Sequence, residues 1–289
     1  MKLYSGNSFA QVYKDSLNGL LNNPEFITSP RGLEIKENLN VSLEINNPLL
    51  STYDNSRRGS QDKYIAAELI WYFSGRNDVD YIKKYAKFWE SIQNEDGTVN
   101  SAYGNLIFTE RNDNEYNQYG WALDSLSKDK DSRQAILHFN KPSHQWPRNK
   151  DFVCTMYGIF HIRNNKLDFT VTMRSNDAIL GTPTDVAFFT CLQQQMLAHL
   201  QILKYPDLEL GKYTHIVNSY HLYHKHFNLV KEMLMEEFKP IEFPRLEADL
   251  VLPSGCPSNQ LNKFIDNEDN IEKIITSDAL LSWIKNKLI

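Results

Sequence analysis

The stretch at 152–174 limits the fold more than any other part of the chain. Two β-rich runs, 153–162 and 167–173, flank the pair Asn164-Asn165. Asparagine tolerates the positive φ that tight hairpin turns require, so the stretch predicts a β-hairpin. A hairpin commits the chain to sheet pairing, and its apolar positions need a layer packed against them. It also brings its two ends together. Cys154 stands where the first strand begins, and Arg174 follows the second, about where a guanidinium faces the thiol.

The remaining pattern supplies that layer. Pro183 opens a helix that runs to about residue 203, with Thr182 as its N-cap and Val186, Phe189, Leu192, Met196 and Leu200 on its buried face. A second helix spans 63–73 and stops at Gly75. Helical spacing also predicts helices over 2–21, 78–92, 222–238 and 277–287. Strands are predicted over 33–50 and 135–139 and before residue 222, and 111–131 reads as loop plus a short helix. The pattern predicts an α+β fold, one domain over 1–289 with helices packed on a mixed, mostly antiparallel sheet.

Composition removes several function classes. The net charge of −5 provides no broad basic face for nucleic acid, although a few arginines in one pocket suffice for a small phosphate. Three cysteines, far apart at 154, 191 and 256, suit neither a disulfide framework nor a zinc site, and a reducing compartment is expected. No run reaches the roughly 18 apolar residues of a membrane span, and 1–17 lacks the apolar core of a signal peptide. A cytoplasmic protein with no membrane partner is the expectation.

Certain residues carry chemistry that packing does not require. A lone cysteine is ordinarily a small buried hydrophobe. Cys154, however, is reached through a loop rich in Pro and Trp at 141–146 and faces Arg174, whose charge favours the nucleophilic thiolate. The run Arg174-Ser175-Asn176-Asp177 reads either as a solvated turn or as a phosphate pocket, since the guanidinium fork matches phosphate oxygens. In 221–226 three histidines lack a carboxylate at ligand spacing, which disfavours a metal. His221 and Tyr223 share one face of a strand and suit a sugar hydroxyl. Glu68 lies among Leu69, Ile70, Trp71 and Tyr72, where burial raises a carboxyl pKa and makes it an acid and base near neutral pH.

Taken in order, these pieces resemble the thymidylate synthase family. Glu-Leu-Ile-Trp-Tyr-Phe-Ser-Gly (68–75), Ser-Ala-Tyr-Gly (101–104), Asp131-Ser132-Arg133, Arg174-Ser175-x-Asp177 with Leu180-Gly181-x-Pro183, and His221-Leu222-Tyr223 all look like family motifs, across about 30–230. The resemblance implies that Cys154 adds to C6 of a pyrimidine nucleotide. C5 would then attack the methylene carbon of 5,10-methylenetetrahydrofolate, the co-substrate. It implies that Glu68 moves protons through ordered water, and that Arg31, Arg133, Arg174 and Ser175 hold the phosphate. Arg133 would come from the partner subunit of a homodimer. Tyr103 would belong to the substrate site, His221 and Tyr223 would meet the sugar 3′-hydroxyl, Asp177 would contact the folate, and Trp89 would stack near it. No metal is implied.

The departures are informative. Cys154 is flanked by Val153 and Thr155 in place of the family's proline and histidine, Gln134 replaces the second arginine after Ser132, and 286–289 differs from the usual ending. Asp185 stands where thymidylate synthases carry the asparagine that reads uracil. A carboxylate accepts from the cytosine amino group and favours a proton on N3, so Asp185 points to a cytosine nucleotide. With Asp151-Phe152-x-Cys154-Thr155 and Met173-Arg174-Ser175-Asn176-Asp177, the chain is similar to the phage deoxycytidylate hydroxymethylases of the same family. In these, water rather than hydride traps the one-carbon unit. A dUMP hydroxymethylase, a methylase and a CMP enzyme are the alternatives within the class. A non-catalytic binding module would need neither Cys154 nor Glu68. The segment 240–289 is divergent and has no assigned role.

Overall fold

The computed structural model describes residues 1–246 and 249–289. The chain begins with β1 (Lys2–Gly6), α1 (Phe9–Asn22), β2 (Phe26–Thr28), β3 (Ile35–Ile45), β4 (Thr52–Asp54), α2 (Asp62–Phe73) and α3 (Phe88–Ile92). Next come α4 (Gln118–Lys128), β5 (Ile136–His138), β6 (Thr155–Arg163), β7 (Lys166–Met173), β8 (Asn176–Asp177) and α5 (Thr182–Leu203). The last elements are β9 (Glu209–Tyr223), α6 (Phe227–Leu234), β10 (Lys239–Ile241), α7 (Asn259–Ile265) and α8 (Ala279–Leu288).

An eight-stranded sheet runs in the order β1-β3-β9-β7-β6-β5, with β2 on β3 and β8 on β9. It is mixed. Strand β9 pairs antiparallel with β3 and parallel with β7, while β6 and β7 form the hairpin. At the hairpin turn Asn164 and Asn165 take φ of 49° and 58°, the left-handed values that the paired asparagines predict. Helices α1 and α5 cover one face of the sheet. The architecture is the α+β arrangement of helices on a mixed sheet.

Long-range pairing overrides several local patterns. The predicted helix over 2–21 is two elements. Residues 2–6 are claimed by parallel pairing to Val41–Ile45, and Ser8 then caps α1 by accepting from Gln11 N. The predicted helix over 222–238 starts only at Phe227, because β9 stays paired to β3 through the Ile35–Tyr223 match. Residues 78–92 are not one helix. Asp78 binds Arg76, and its carbonyl accepts from Trp71 Nε1 at 2.8 Å, so the segment is held as loop with one 3-10 turn at Ile82–Lys84 before α3. Within 111–131 the helix α4 is three turns long. Thr182 is the first residue of α5 rather than its cap; Gly181 occupies the cap position, and the Thr182 hydroxyl turns to Asn176 Oδ1 and Asp177 O.

Helix α5 is buried on nearly every side, not on one face. The reason is the C-terminal segment. Gln195 Oε1 accepts from Leu250 N and Val251 N, Gln194 Oε1 accepts from Leu246 N, and α7 and α8 pack on α2. The segment 240–289 therefore forms an outer layer that removes α2 and α5 from water. Among the described residues, no helix is long and apolar enough to cross a membrane.

Gly104 is held where α2 passes closest. A Cβ built there would lie 1.5 Å from the Tyr72 carbonyl oxygen, a backbone atom that cannot swing aside. Gly104→Ala is expected to destabilise the fold by about 3 kcal/mol or more, read as a lower denaturant midpoint with an unchanged slope.

Candidate active site

Cys154 sits one residue before β6, and the hairpin returns Arg174 beside it. Arg174 Nη2 lies 3.5 Å from Cys154 Sγ and also donates to Phe152 O, while Nε donates to Val153 O at 3.1 Å. The guanidinium stacks over Phe152 with 4.7 Å to the ring centroid. Nη1 carries no bond among the described residues and remains for an anion. Burial pushes the Cys154 thiol up, Arg174 pulls it down, Asp185 and Asp151 push it up, and Arg31 pulls it down. Arg31 is exposed on a tight turn, in the left-handed region at φ 53°. Ser175 follows Arg174 and is half-buried.

Two carboxyls on two helices extend the site from this thiol: Asp185 acts on Cys154, and Glu68 lies near Asp185. Glu68 is on α2 and only 6% exposed. Tyr64, one turn earlier, donates to its Oε1 at 2.8 Å, and Trp89 Nε1 donates to Tyr64 Oη at 3.0 Å. Burial and the nearby Asp185 push Glu68 up to about 8. Asp185 is in the first turn of α5 and half-buried. Burial pushes it up to about 7 against a bond from Asn176 Nδ2 to Oδ2 at 2.7 Å. Near neutral pH the pair therefore retains protons, which a surface pair would have lost.

The remaining sequence candidates fall around these three, with the exception of Arg133. Tyr103 accepts from Thr155 Oγ1 at 2.9 Å and stacks on Tyr72, with 5.0 Å between centroids. The loop before it is latched to Asp151, which accepts from Ser101 N at 2.7 Å. His221 and Tyr223 share a face of β9, with rings 5.2 Å apart. His221 Nδ1 donates to Ser219 O at 3.3 Å, which turns Nε2 outward. Asp177 Oδ1 accepts from Ile179 N and Leu180 N, whereas its Oδ2 is buried without a partner. Trp89, only 5% exposed, is tied to Tyr64 behind Glu68. Arg133 is not brought to this cluster. It is exposed just before β5, at the hairpin-turn end of the sheet, about 25 Å along the strands from Cys154.

Arg58, His215 and Tyr64 escape a reading of sequence alone, and Asn176 enters it only as part of the polar run 174–177. Arg58 donates to Ile179 O at 3.5 Å, and its buried Nε, like the buried Asp177 Oδ2, has no partner. Asn176, His215 and Tyr64 provide hydrogen bonds to the carboxyls or to each other. Only the repeated buried polar residues on otherwise apolar elements hint at them. Among the described residues, no group of three or more His, Cys, Asp or Glu side chains is placed to hold a metal ion. A groove of about 430 Å³ between Arg111, Trp121, His138 and Lys141 shares no residue with the cluster.

Known proteins resemble this chain along most of its length. Residues 34–260 match the family model for thymidylate synthase. A deoxycytidylate 5-hydroxymethyltransferase of Enterobacteria phage T4 is 31% identical over 216 residues, covering 73% of this chain and 84% of that protein. A deoxyuridylate hydroxymethyltransferase of Bacillus phage SP01 is 29% identical over 289 residues, covering 92% and 73%. The solved thermostable thymidylate synthase A of Bacillus subtilis superimposes with a TM-score of 0.66 at 23% identity, covering 83% of this chain and 87% of that one, and shares the fold.

The buried carboxyl of Glu68 has a consequence for stability. Its pKa is higher folded than unfolded, so its contribution is most favourable below the unfolded value and is lost as pH rises through about 8. Glu68→Gln removes that loss. The variant is expected to gain melting temperature over the parent at pH 9 and to gain much less at pH 5, measured by thermal unfolding at both.

Proposed function

This chain belongs to the thymidylate synthase family, whose members are one-carbon transferases, and we propose that its substrate is dCMP. The reaction would convert dCMP, 5,10-methylenetetrahydrofolate and water to 5-hydroxymethyl-dCMP and tetrahydrofolate. One observation carries the choice of base. Asp185 presents a carboxyl of pKa about 7 beside Cys154, where it both accepts from a cytosine amino group and supplies a proton to N3. The phage deoxycytidylate relative supports this reading. The deoxyuridylate relative makes dUMP the competing one.

The chain's own groups divide the work. Arg174, through its uncommitted Nη1, acts with Arg31 and Ser175 on the phosphate. His221 Nε2 and the Tyr223 hydroxyl meet the sugar 3′-hydroxyl. As the Cys154 thiolate forms a bond to C6, the proton from Asp185 moves to N3, so negative charge does not build up on the ring. The adduct makes C5 nucleophilic. C5 bonds to the methylene-level carbon that the folate co-substrate would supply, C5 loses its proton as the carbon–nitrogen bond breaks and tetrahydrofolate leaves, and water adds to the new exocyclic carbon. Glu68, held by Tyr64, exchanges protons with that water. Loss of the thiolate from C6 restores the ring. No hydride is consumed, so no dihydrofolate forms. Asp177 Oδ2 and Arg58 Nε, both buried and unpartnered, are an acceptor and a cation suited to the donors and the carboxylate of a folate.

A homodimer fits the open face of the sheet. Tyr157, Ile159, Thr170, Thr214 and Ile216 lie on one side of β6, β7 and β9, away from the helices, and remain partly exposed. Arg133 lies at the margin of that face and would reach the partner's phosphate site. The phage relatives support a host cytoplasmic location.

Purified protein with C5-tritiated dCMP is expected to release tritium only when methylenetetrahydrofolate is present, and mass spectrometry should find 5-hydroxymethyl-dCMP without dihydrofolate. Dihydrofolate formed in step with turnover would mean methylation instead. Asp185→Asn should shift the preference toward dUMP by about ten-fold or more; a parent enzyme that already prefers dUMP would sink the base assignment. For the subunit exchange, inactive Arg133→Ala and Cys154→Ser proteins are expected to regain activity when mixed. No recovery in mixed dimers would place Arg133 in its own subunit's site or outside the reaction.

A further inference from the structure

Behind Asp185 lies a row of polar side chains that the reaction above leaves unused. Asn176 Nδ2 donates to Asp185 Oδ2 at 2.7 Å. Asn176 Oδ1 accepts from Thr182 Oγ1 at 2.5 Å and lies 3.2 Å from His215 Nε2. His215 Nδ1 lies 2.8 Å from the Tyr213 hydroxyl. Tyr213 and His215 are fully buried, and Asn176 is nearly so.

The directions of these bonds are determined. Asn176 Oδ1 is an acceptor, so His215 Nε2 carries the proton and Nδ1 accepts from Tyr213. A neutral imidazole has one donor and one acceptor, and burial drives His215 down to about 3, which keeps it neutral at any working pH. The order is Tyr213 O–H to His215 Nδ1, His215 Nε2–H to Asn176 Oδ1, and Asn176 Nδ2–H to Asp185 Oδ2. Oδ2 accepts from Asn176 and keeps a second lone pair for the cytosine amino group, so a proton on Asp185 is favoured on Oδ1, which has no bond among the described residues.

That placement distinguishes the bases. Cytosine N3 is an acceptor and matches a protonated Oδ1. Uracil N3–H is a donor and requires a bare one. If the Asn176 amide were reversed, its oxygen would hold the proton on Oδ2 and leave Oδ1 as an acceptor, the pattern that suits uracil. We propose that Asn176, His215 and Tyr213 are positioning residues that set base specificity by keeping the Asp185 proton on the oxygen that faces the base. This rests on the reading of Asp185 as the cytosine contact.

The groups facing Asp185 are Tyr64, Glu68 and Tyr72 on α2, together with Tyr103, Cys154 and Tyr213. All are neutral or acidic, so the donor from Asn176 is the group that lowers the Asp185 pKa against burial. Removing it raises that pKa, and the alkaline limb of the dCMP profile moves to higher pH.

The test compares kcat/KM for dCMP and dUMP, and its pH profile for dCMP, in the parent, Asn176→Leu, His215→Phe and Tyr213→Phe enzymes. The expected result for Asn176→Leu is a loss of about ten-fold in dCMP preference and an alkaline limb about one pH unit higher. Smaller shifts of the same sign are expected for the other two. A purely structural role would lower both substrates alike and leave the limb in place. If the larger changes prevent folding, Tyr213→Phe, which removes one hydroxyl, carries the test. A parent that prefers dCMP with an unmoved ratio and limb in the variants overturns this inference alone. A parent that prefers dUMP overturns the reading of Asp185 and this inference with it.

Discussion

Two carboxyl groups removed from water impose most of the design around Cys154. An isolated buried carboxylate is costly, so Glu68 and Asp185 resist ionisation, and Asp185 raises Glu68 further. Each needs a donor to be tolerated at all. Tyr64 serves Glu68 from one turn earlier on α2, and Asn176 serves Asp185 from β8. Those donors are themselves held by Trp89 and by Thr182 and His215. The result is a cluster that keeps protons near neutral pH beside a thiol that has to lose one.

The thiol is governed by the opposite requirement. Burial raises it, and the compensation comes from Arg174, whose position is dictated by the hairpin. Backbone carbonyls of Phe152 and Val153 hold the guanidinium in place, so a single side chain reads the hairpin's closure and supports the nucleophile. The C-terminal layer completes the low-dielectric setting. Its backbone amides at 246, 250 and 251 are satisfied by Gln194 and Gln195, polar residues that would otherwise be misplaced on a central helix.

The elements with strong local signals were legible from the chain. The asparagine pair specifies a left-handed turn by its own chemistry, Pro183 opens α5, and Gly75 ends α2. The elements that depart from their local pattern are those whose partners lie far away. Lys2–Gly6 has an acceptable helical pattern, but β3 offers it a ladder. Residues 222–226 extend as strand and 3-10 turn because β3 runs alongside β9. Helix α5 looks one-sided until the segment 240–289 covers its other side. The segment itself lacks any periodic signal for that role, since its buried residues are spaced by the surface they cover.

The kinds of chemical group were thus set by the sequence alone. A cysteine leads a hairpin, an arginine follows it, a glutamate lies in an apolar helix, and an aspartate stands in the first turn of another. These are matters of residue type, order and spacing, which need no coordinates. Tertiary structure alone decided their protonation, because pKa depends on burial and on charges contributed by other elements. It also decided which way each bond in the row from Tyr213 to Asp185 points, because donors and acceptors become paired only when β8, β9 and α5 meet.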